Sequence, residues 1–326
     1  MRWEKTATTN VGLDFALLGN RLFGSLDLYN KKGTDILGNV SISGVHGTHS
    51  VIFNNAELLN RGVELSLGTS IDFRSIDLSF SGTLSYAYNY NKVTSLYQEN
   101  HTVMDIIGNS YIEGLPMYPL YAFEYLGMKE GLPYVSDGNG GEIRMDDYSL
   151  MYGEESGALK YMGSMLSPHT LGLSLNLRWK TLSLSALFNG RFGGKMRMPV
   201  FNYPVVEGWS KTRVNAQLAD VLAGSNAVPA LPQPYDYGYG IWSTYLSYLD
   251  TQVESASYIY CQEVVANYTL PHKTLRGIGI KEASIFGKLE NLGLLWSANS
   301  KHYHPEYLPG VADPALTCSF GVRVNL

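Results

Sequence analysis

Apolar and polar residues alternate along much of this chain with a period of two. In the clearest run, residues 78–90, the even positions are apolar or aromatic apart from Gly82, and the odd positions are small or polar. The same alternation covers residues 63–72, 171–179 and 319–326. A period of two is the pattern of β-strands whose two faces meet different surroundings. The sequence therefore predicts an all-β protein.

The predicted strands are long. Strands in soluble sheets average roughly five or six residues, whereas a tilted strand that crosses a bilayer needs roughly nine to eleven. Tyr or Trp stands at the ends of many runs, as expected for aromatic girdles at the two membrane surfaces. The predicted strands are 7–17, 21–31, 61–72, 76–90, 117–127, 132–145, 169–179, 181–191, 255–269, 279–289 and 316–326.

The connections between these strands are alternately short and long. Transmembrane β-barrels pair short periplasmic turns with long outer loops. The long connections predicted here are 32–60, 91–116, 128–168, 192–254 and 290–315. Because 117–127 has a long connection on both sides, strict up-and-down parity requires the additional strand at 132–145. The alternation thus predicts an antiparallel transmembrane barrel wall of about eleven strands.

Composition agrees with a membrane-exposed surface and excludes several classes. Charged residues make up 16% of the chain, below the roughly 25% of a typical soluble domain. No apolar stretch reaches the roughly 18 residues of a membrane-spanning helix. The net charge of −5 and the scattered basic residues argue against a nucleic-acid partner. Cys261 and Cys318 are too few for a disulfide framework.

Nine segments of the chain share their order and spacing with one family of proteins. They are residues 2–6, 20–22, 25–37, 60–65, 161–168, 257–259, 268–271, 290–292 and 319–322. In these segments the chain resembles the SusC/RagA-type TonB-dependent outer-membrane receptors. The resemblance covers essentially the whole chain, with two departures: the family usually ends in an aromatic residue where this chain has Leu326, and its usual Asp-Pro-Glu is His304-Pro305-Glu306 here.

The resemblance implies that residues 1–326 are the C-terminal part of a receptor β-barrel, about eleven strands of a 22-stranded wall around a plugged lumen. The plug domain, the TonB box and the earlier strands have no counterpart in this sequence, and the start lacks a secretory signal, so a fragment or a processed chain is expected. A half barrel has two open edges that lipid does not tolerate, so the isolated chain is expected to misassemble unless it pairs.

The function that the resemblance implies is import of a glycan or peptide nutrient across the cell outer membrane. A SusD-like surface lipoprotein would act as a lid over the oligosaccharide or peptide ligand, and the TonB complex would act through the missing N-terminal region. No cofactor is expected. The sequence contains no HExxH, GxSxG, Walker A or GxGxxG motif, so no enzymatic activity is predicted.

Aromatic residues in the 193–254 connection are the candidate ligand-binding surface. Flat aromatic rings bury apolar area while their polar tips keep hydrogen bonds, which suits sugar rings and peptide side chains. Loop packing or an outer aromatic girdle is the alternative. Glu64, Asp72, Arg178 and Arg191 are expected to line the lumen, where charge is tolerated. The candidate ligand-binding residues are Tyr203, Trp209, Tyr235, Tyr237, Tyr239 and Trp242.

Two short segments have side chains that could bind a cation. Asp137, Asn139 and Glu142 lie in an acidic, glycine-rich segment, but it lacks the twelve-residue spacing of an EF-hand. His302, His304 and Glu306 are separated by single residues, which seldom gives a fixed ligand geometry. Solvated loops are the favoured interpretation of both segments, so no metal site is predicted.

Two other protein classes fit the alternation. A passive porin or structural outer-membrane barrel has the same strand pattern, and an upstream plug and TonB box would distinguish a receptor from it. A secreted, soluble β-sandwich that binds glycans is the third possibility. Such a sandwich would need no detergent and would seal its leucines and tyrosines in a dry core.

Overall fold

The computed structural model describes residues 2–42, 45, 47–48, 50–98, 102–108, 111–129, 132–145, 150, 153, 156–199, 245–275, 279–307 and 311–325. The short α-helices in the described residues include α1 (Val103–Ile107) and α2 (His272–Leu275). Among the described residues, no helix is long and apolar enough to span a membrane. The strands are β1 (Lys5–Leu17), β2 (Leu22–Ser41), β3 (Ser50–Phe73), β4 (Leu78–Leu96), β5 (Pro119–Phe123), β6 (Tyr125–Lys129), β7 (Leu132–Ser136), β8 (Glu142–Arg144), β9 (Leu159–Ser164), β10 (His169–Trp179), β11 (Leu182–Phe192), β12 (Lys195–Arg197), β13 (Val253–Ser255), β14 (Tyr258–Thr269), β15 (Glu282–Ser297) and β16 (Thr317–Asn325).

One large antiparallel sheet dominates the molecule, and we call it the wall. Its nine strands lie in the order β1-β2-β3-β4-β10-β11-β14-β15-β16. Every neighbouring pair is antiparallel and is joined along the chain without a crossover between wall strands. The prediction of an all-β, antiparallel meander is confirmed. In the described residues β1 and β16 each have one neighbour, so the sheet does not close.

The predicted count of eleven wall strands is wrong, because β4 pairs directly with β10. The predicted strands 117–127 and 132–145 instead form β5, β6, β7 and β8, which belong to two small sheets outside the wall. Residues 97–168 are thus a single long connection. Strict parity can be restored either by adding a strand or by removing one, and only the second choice matches the structure.

The hairpin formed by β2 and β3 is longer than the alternation indicated. Pairing continues past Gly33 to Ser41 and Ser50, with register shifts near Ile36. Most of the predicted 32–60 connection is therefore paired strand. Beyond the apolar band both faces of a strand meet polar surroundings, so the period of two disappears while the backbone ladder continues.

Cross-strand register places the apolar positions of all wall strands on one side, which we call the apolar face. Leu177 lies opposite Phe80 and Leu184, and Trp179 lies opposite Leu78 and Leu182. The apolar face is left uncovered: Phe320 is 82% exposed and Leu13 is 62% exposed. A soluble sandwich would cover this face with a second sheet, so that alternative does not fit the described residues.

The other side of the wall, which we call the polar face, has serine, asparagine and charged residues at the alternate positions. Several aromatic rings also lie on it over a glycine of the next strand, among them Phe23, Tyr29 and Phe286. A Cβ atom at Gly68 would stand 2.2 Å from the Phe23 ring, and one at Gly62 would stand 2.6 Å from the hydroxyl of Tyr29. Glycine at these two positions lets the aromatic rings lie flat against the sheet.

The long connections fold into a compact unit of their own, which we call the outer module: the described residues of 102–164 together with 245–252. Phe123 bridges its two parts, since its N–H donates to the carbonyl of Tyr248 (2.9 Å) and its ring meets that of Tyr245 edge-on at 5.7 Å. The buried residues of this core are Val103, Ile106, Ile107, Phe123, Val135, Met145, Leu150, Ala158, Leu159, Tyr245, Leu246 and Leu249.

Candidate functional site

The predicted ligand-binding aromatic cluster falls in residues 200–244. All six of its members lie outside the residues that the structure describes. Their role therefore stays a prediction. The segments on either side of them are described: β12 leaves the wall after β11, and the chain returns at 245–252 in the core of the outer module before β13. The six residues are Tyr203, Trp209, Tyr235, Tyr237, Tyr239 and Trp242.

A chain of amide side chains joins the polar face to the outer module. The hydroxyl of Tyr29 donates to Asn89 (2.9 Å), and the amides of Asn89 and Asn91 both donate to the Oδ1 of Asn60 (3.2 and 2.7 Å). The Oδ1 of Asn91 then accepts the backbone N–H of Met117 (2.6 Å). This network was missed at the sequence level, although asparagines at two successive polar positions of β4 were a signal of it.

Two carboxylates stand directly opposite each other on the polar face. Asp27 of β2 and Glu64 of β3 are register partners. Asp27 accepts a hydrogen bond from the amide of Asn10 (3.1 Å). Asn189 also lines the groove that both residues line, and none of its described lining residues is basic. Like charges directly opposite are destabilising in a sheet, so the pairing of Asp27 with Glu64 lowers the stability of the wall. The expected position of Glu64 on this face is confirmed.

A second groove lies near the short turns. Asp72, Ser79 and Arg178 line it, with Arg74, Asp77 and Lys180 at its rim. The guanidinium of Arg178 donates to the hydroxyl of Ser79 (3.2 Å). Asp72 and Arg178, which were expected to line the lumen, therefore both lie on the polar face. This groove contains both acidic and basic side chains.

A third charged cluster was not predicted. On β14 and β15, Glu263 and Glu290 are also register partners. The ammonium group of Lys288 lies between them, 2.7 Å from Glu263 and 2.9 Å from Glu290. Glu263 and Glu290 thus have a cation between them, whereas the similarly opposed Asp27 and Glu64 have none among the described residues.

The last long connection, residues 298–316, is attached to the wall by Glu306. Its carboxylate pairs with Arg191 of β11 (2.7 Å) and accepts a hydrogen bond from the hydroxyl of Tyr258 (2.9 Å). Arg191, expected as a lumen residue, therefore holds this connection at the rim of the wall. Glu306, which was considered as a candidate cation ligand, forms an ion pair instead.

His304 is buried among aromatic rings. The centroids of Tyr258, Tyr260 and Tyr307 lie 4.8, 5.1 and 4.8 Å from its own. Its Nδ1 accepts the backbone N–H of Glu306 (3.1 Å). Burial lowers the pKa of His304, while the neighbouring Glu306 opposes that shift. The imidazole is therefore a neutral packing group.

The glycine-rich segment around Asp137 closes on itself. The Asp137 carboxylate accepts the backbone N–H groups of Asn139 (2.7 Å) and Gly141 (2.8 Å), and Glu142 pairs with Lys129. These bonds are those of a tight loop tip. Within the described ranges, no three His, Cys, Asp or Glu side chains are grouped so that they could hold a metal ion.

Residues 1–257 match the family described as "TonB dependent receptor-like, beta-barrel". Among curated proteins, TonB-dependent receptor P3 of Formosa agariphila is 27% identical over 310 residues, which are 90% of this chain and 30% of that protein. TonB-dependent receptor SusC of Bacteroides thetaiotaomicron is 22% identical over 352 residues, 100% of this chain and 32% of that protein. The chain therefore spans about a third of the length of the curated relatives that it matches.

Solved structures share the fold. The RagAB peptide transporter superposes with a TM-score of 0.71 and 24% identity, covering 93% of this chain and 32% of the other. The RagAB peptide importer in its "open-open" state gives a TM-score of 0.68 and 22% identity over 99% of this chain and 34% of the other. Proteins of this family are receptors and transporters of the outer membrane. The chain is thus a member of the TonB-dependent receptor β-barrel family, and it belongs to the outer membrane.

Proposed function

We propose that this chain supplies part of the barrel wall and outer loops of a TonB-dependent importer of a glycan or peptide nutrient. The observation that carries the proposal is the two-faced wall, in a chain of this receptor family. Hydrocarbon is the surrounding in which the exposed apolar face is stable, and the polar face is suited to a water-filled interior. Nutrient import is the activity that we expect of such a wall in a TonB-dependent receptor.

The wall is proposed to be completed by further strands. In the described residues β1 and β16 are edge strands, and unpaired backbone groups cost several kcal/mol each in lipid. A barrel of receptor size, with a plug in its lumen, satisfies both edges. We propose that residues 1–326 are the C-terminal part of the receptor barrel, and that its plug domain and the region that contacts the TonB complex belong to the rest of the receptor.

A SusD-like surface lipoprotein is the proposed partner on the side of the outer module. A relative of known structure is described as a peptide transporter, and another relative is SusC, so an oligosaccharide or a peptide is the proposed ligand class. Tyr203, Trp209, Tyr235, Tyr237, Tyr239 and Trp242 are proposed to contact that ligand by stacking.

Uptake in living cells tests this function. The full natural protein would be expressed in a strain that lacks it, and growth on defined oligosaccharides and peptides would be measured with and without an active TonB complex. We expect growth on at least one nutrient class that requires both the receptor and TonB. Substituting Trp209 and Trp242 with alanine should reduce that uptake, whereas Trp3→Ala, as a matched control, should not. Uptake that persists without TonB would identify a passive porin instead.

A further inference from the structure

Arg197 is a partly buried base at the boundary of the outer module. It ends β12, on the side of the long connections. One terminal nitrogen, Nη2, donates to the backbone carbonyl of Tyr121 (2.5 Å), and the guanidinium carbon lies 4.9 Å from the ring centroid of Tyr248. The other terminal nitrogen, Nη1, is closed to solvent and has no hydrogen-bond acceptor in the part of the chain that the structure describes. A guanidinium thus lies among aromatic residues with one donor group unused.

Three other bases on this side of the wall have acidic partners. Lys129 pairs with Glu142, Lys160 with Glu124 and Arg191 with Glu306. These three side chains are about half exposed, so their ion pairs contribute little to stability. Arg197 is more deeply buried, and no carboxylate among the described residues lies within ion-pair distance of it.

An unpaired buried cation is unfavourable. Removing a charge from water is costly unless an opposite charge and further hydrogen bonds compensate for it. Burial indeed lowers the pKa of Arg197, and only the phenol of Tyr248 opposes that shift. The carbonyl of Tyr121 and the ring of Tyr248 supply a hydrogen bond and a cation–π contact, but neither supplies negative charge.

We propose that Arg197 binds a carboxylate of the imported molecule. This inference rests on the proposed importer function and narrows its ligand to molecules that have a carboxylate group, either an acidic sugar or a peptide. A planar guanidinium binds a carboxylate through two parallel hydrogen bonds. Tyr121 and Tyr161, whose ring centroids are 5.6 Å apart, offer aromatic surface near the charge. Because Nη1 is closed to solvent, binding requires that the segments around Tyr248 separate slightly.

The carboxylate could also come from this chain, since residues 200–244 contain Glu207, Asp220 and Asp236. The two sources make opposite predictions for the ligand-free protein. If a residue of the chain pairs with Arg197, then Arg197→Met leaves that carboxylate unpaired and destabilises the outer module. If the ligand supplies it, Arg197→Met removes an unpaired buried charge, so the ligand-free module is at least as stable as before.

Binding to the full-length receptor in detergent distinguishes the sources. The probes are trigalacturonate with its methyl ester, and tetra-alanine with its C-terminal amide. We expect at least one acid form to bind about tenfold or more tightly than its neutral counterpart. Arg197→Met should abolish that difference. Arg197→Lys, which keeps the charge but not the planar fork, should preserve part of it and also shows whether the fold tolerates substitution here. Lys160→Met is the matched control and should leave the difference unchanged.

Three results overturn the proposal. One is that neither acid form binds better than its neutral counterpart. Another is that the preference survives in Arg197→Met. The third is that Arg197→Met and the combined Glu207→Gln, Asp220→Asn and Asp236→Asn variant destabilise the ligand-free protein equally, which assigns the carboxylate to the chain. A receptor with the expected acid preference but no TonB-dependent uptake would contradict the importer function and leave the Arg197 site intact.

Discussion

The wall and the outer module place the same kinds of side chain in opposite positions. In the outer module, Phe123, Tyr245 and Leu246 are fully buried. In the wall, phenylalanine, leucine and valine are uncovered along the whole apolar face, with Phe320 as the extreme case. Apolar area costs roughly 25 cal/mol per Å² when it faces water. The difference shows that two solvents act on one chain: water around the module and hydrocarbon around the wall.

The largest expected effect comes from the same substitution made in both regions. Phe123→Ala leaves a cavity in the core of the outer module, because a fully buried ring loses its contacts, and should lower the module's stability by about 3–5 kcal/mol. Protease cleavage of residues 102–164 on intact cells should become much faster. Phe320→Ala on the wall is the matched control, and it should leave cleavage unchanged. Equal sensitivity at the two positions would contradict the two-solvent interpretation.

A charge on the wall tests the same comparison from the other side. Leu175 is in the middle of β10 on the apolar face, opposite Gly82 and Ala186. Leu175→Arg should destabilise the assembled barrel by about 2–4 kcal/mol, since the guanidinium would face the bilayer midplane. The measurement is denaturant unfolding of the full-length protein in lipid vesicles.

The adjacent residue supplies the control for that experiment. Asn176 points to the polar face, so Asn176→Arg places the same group one position along the strand in a polar setting. We expect it to change the unfolding free energy far less than Leu175→Arg does. If both variants lose the same stability, the apolar face does not contact hydrocarbon.

Within the polar face, two opposed pairs of carboxylates differ in whether a cation lies between them. Lys288→Met removes the cation between Glu263 and Glu290, so the two like charges repel directly and the β14–β15 pairing should weaken. Glu64→Gln removes one charge from the pair with Asp27 and should have the opposite sign. We expect both effects to be smaller than those above, and measurable as shifts in the unfolding temperature at low salt. High salt should reduce both shifts, because it screens exposed charges.

Sequence alone predicted the wall well and the loops poorly, for a physical reason. A strand between lipid and water has two solvents, one for each face, so the period of two determines both its existence and its register. All nine wall strands, including β10 and β16, were predicted this way. Residues 117–145 have water on most sides and a small local core, which leaves no such period, and they were wrongly predicted to be wall strands.

The functional residues show the same limit. Glu64, Asp72 and Arg178 could be placed on the polar face because alternation determines the face of every strand residue. The pairing of Lys288 with Glu263 and Glu290 depends on register across two strands, which a single strand does not encode. The burial of Arg197 against Tyr121 and Tyr248 depends on how three distant segments pack, and no local pattern indicates it.

The smallest expected effect is a pH dependence in the 298–316 connection. His304 is buried and neutral, and its lowered pKa means that the released connection binds a proton more readily than the packed one. The packing of this connection should therefore be at full strength above about pH 6.5 and weaken as the pH falls below that value, down to the lowered pKa. Glu306 and Asp313 moderate the shift, and Arg191 reinforces it.

Hydrogen exchange of the backbone amides of residues 297–307, corrected for intrinsic rates and compared between pH 8 and pH 5, measures this effect. We expect protection to fall on acidification in the natural protein. His304→Gln keeps a side-chain oxygen that can accept the N–H of Glu306 but cannot titrate, so its protection should not depend on pH. His302→Gln removes an exposed imidazole on the same connection and should behave like the natural protein. If His302→Gln rather than His304→Gln abolishes the dependence, burial of His304 is not its cause.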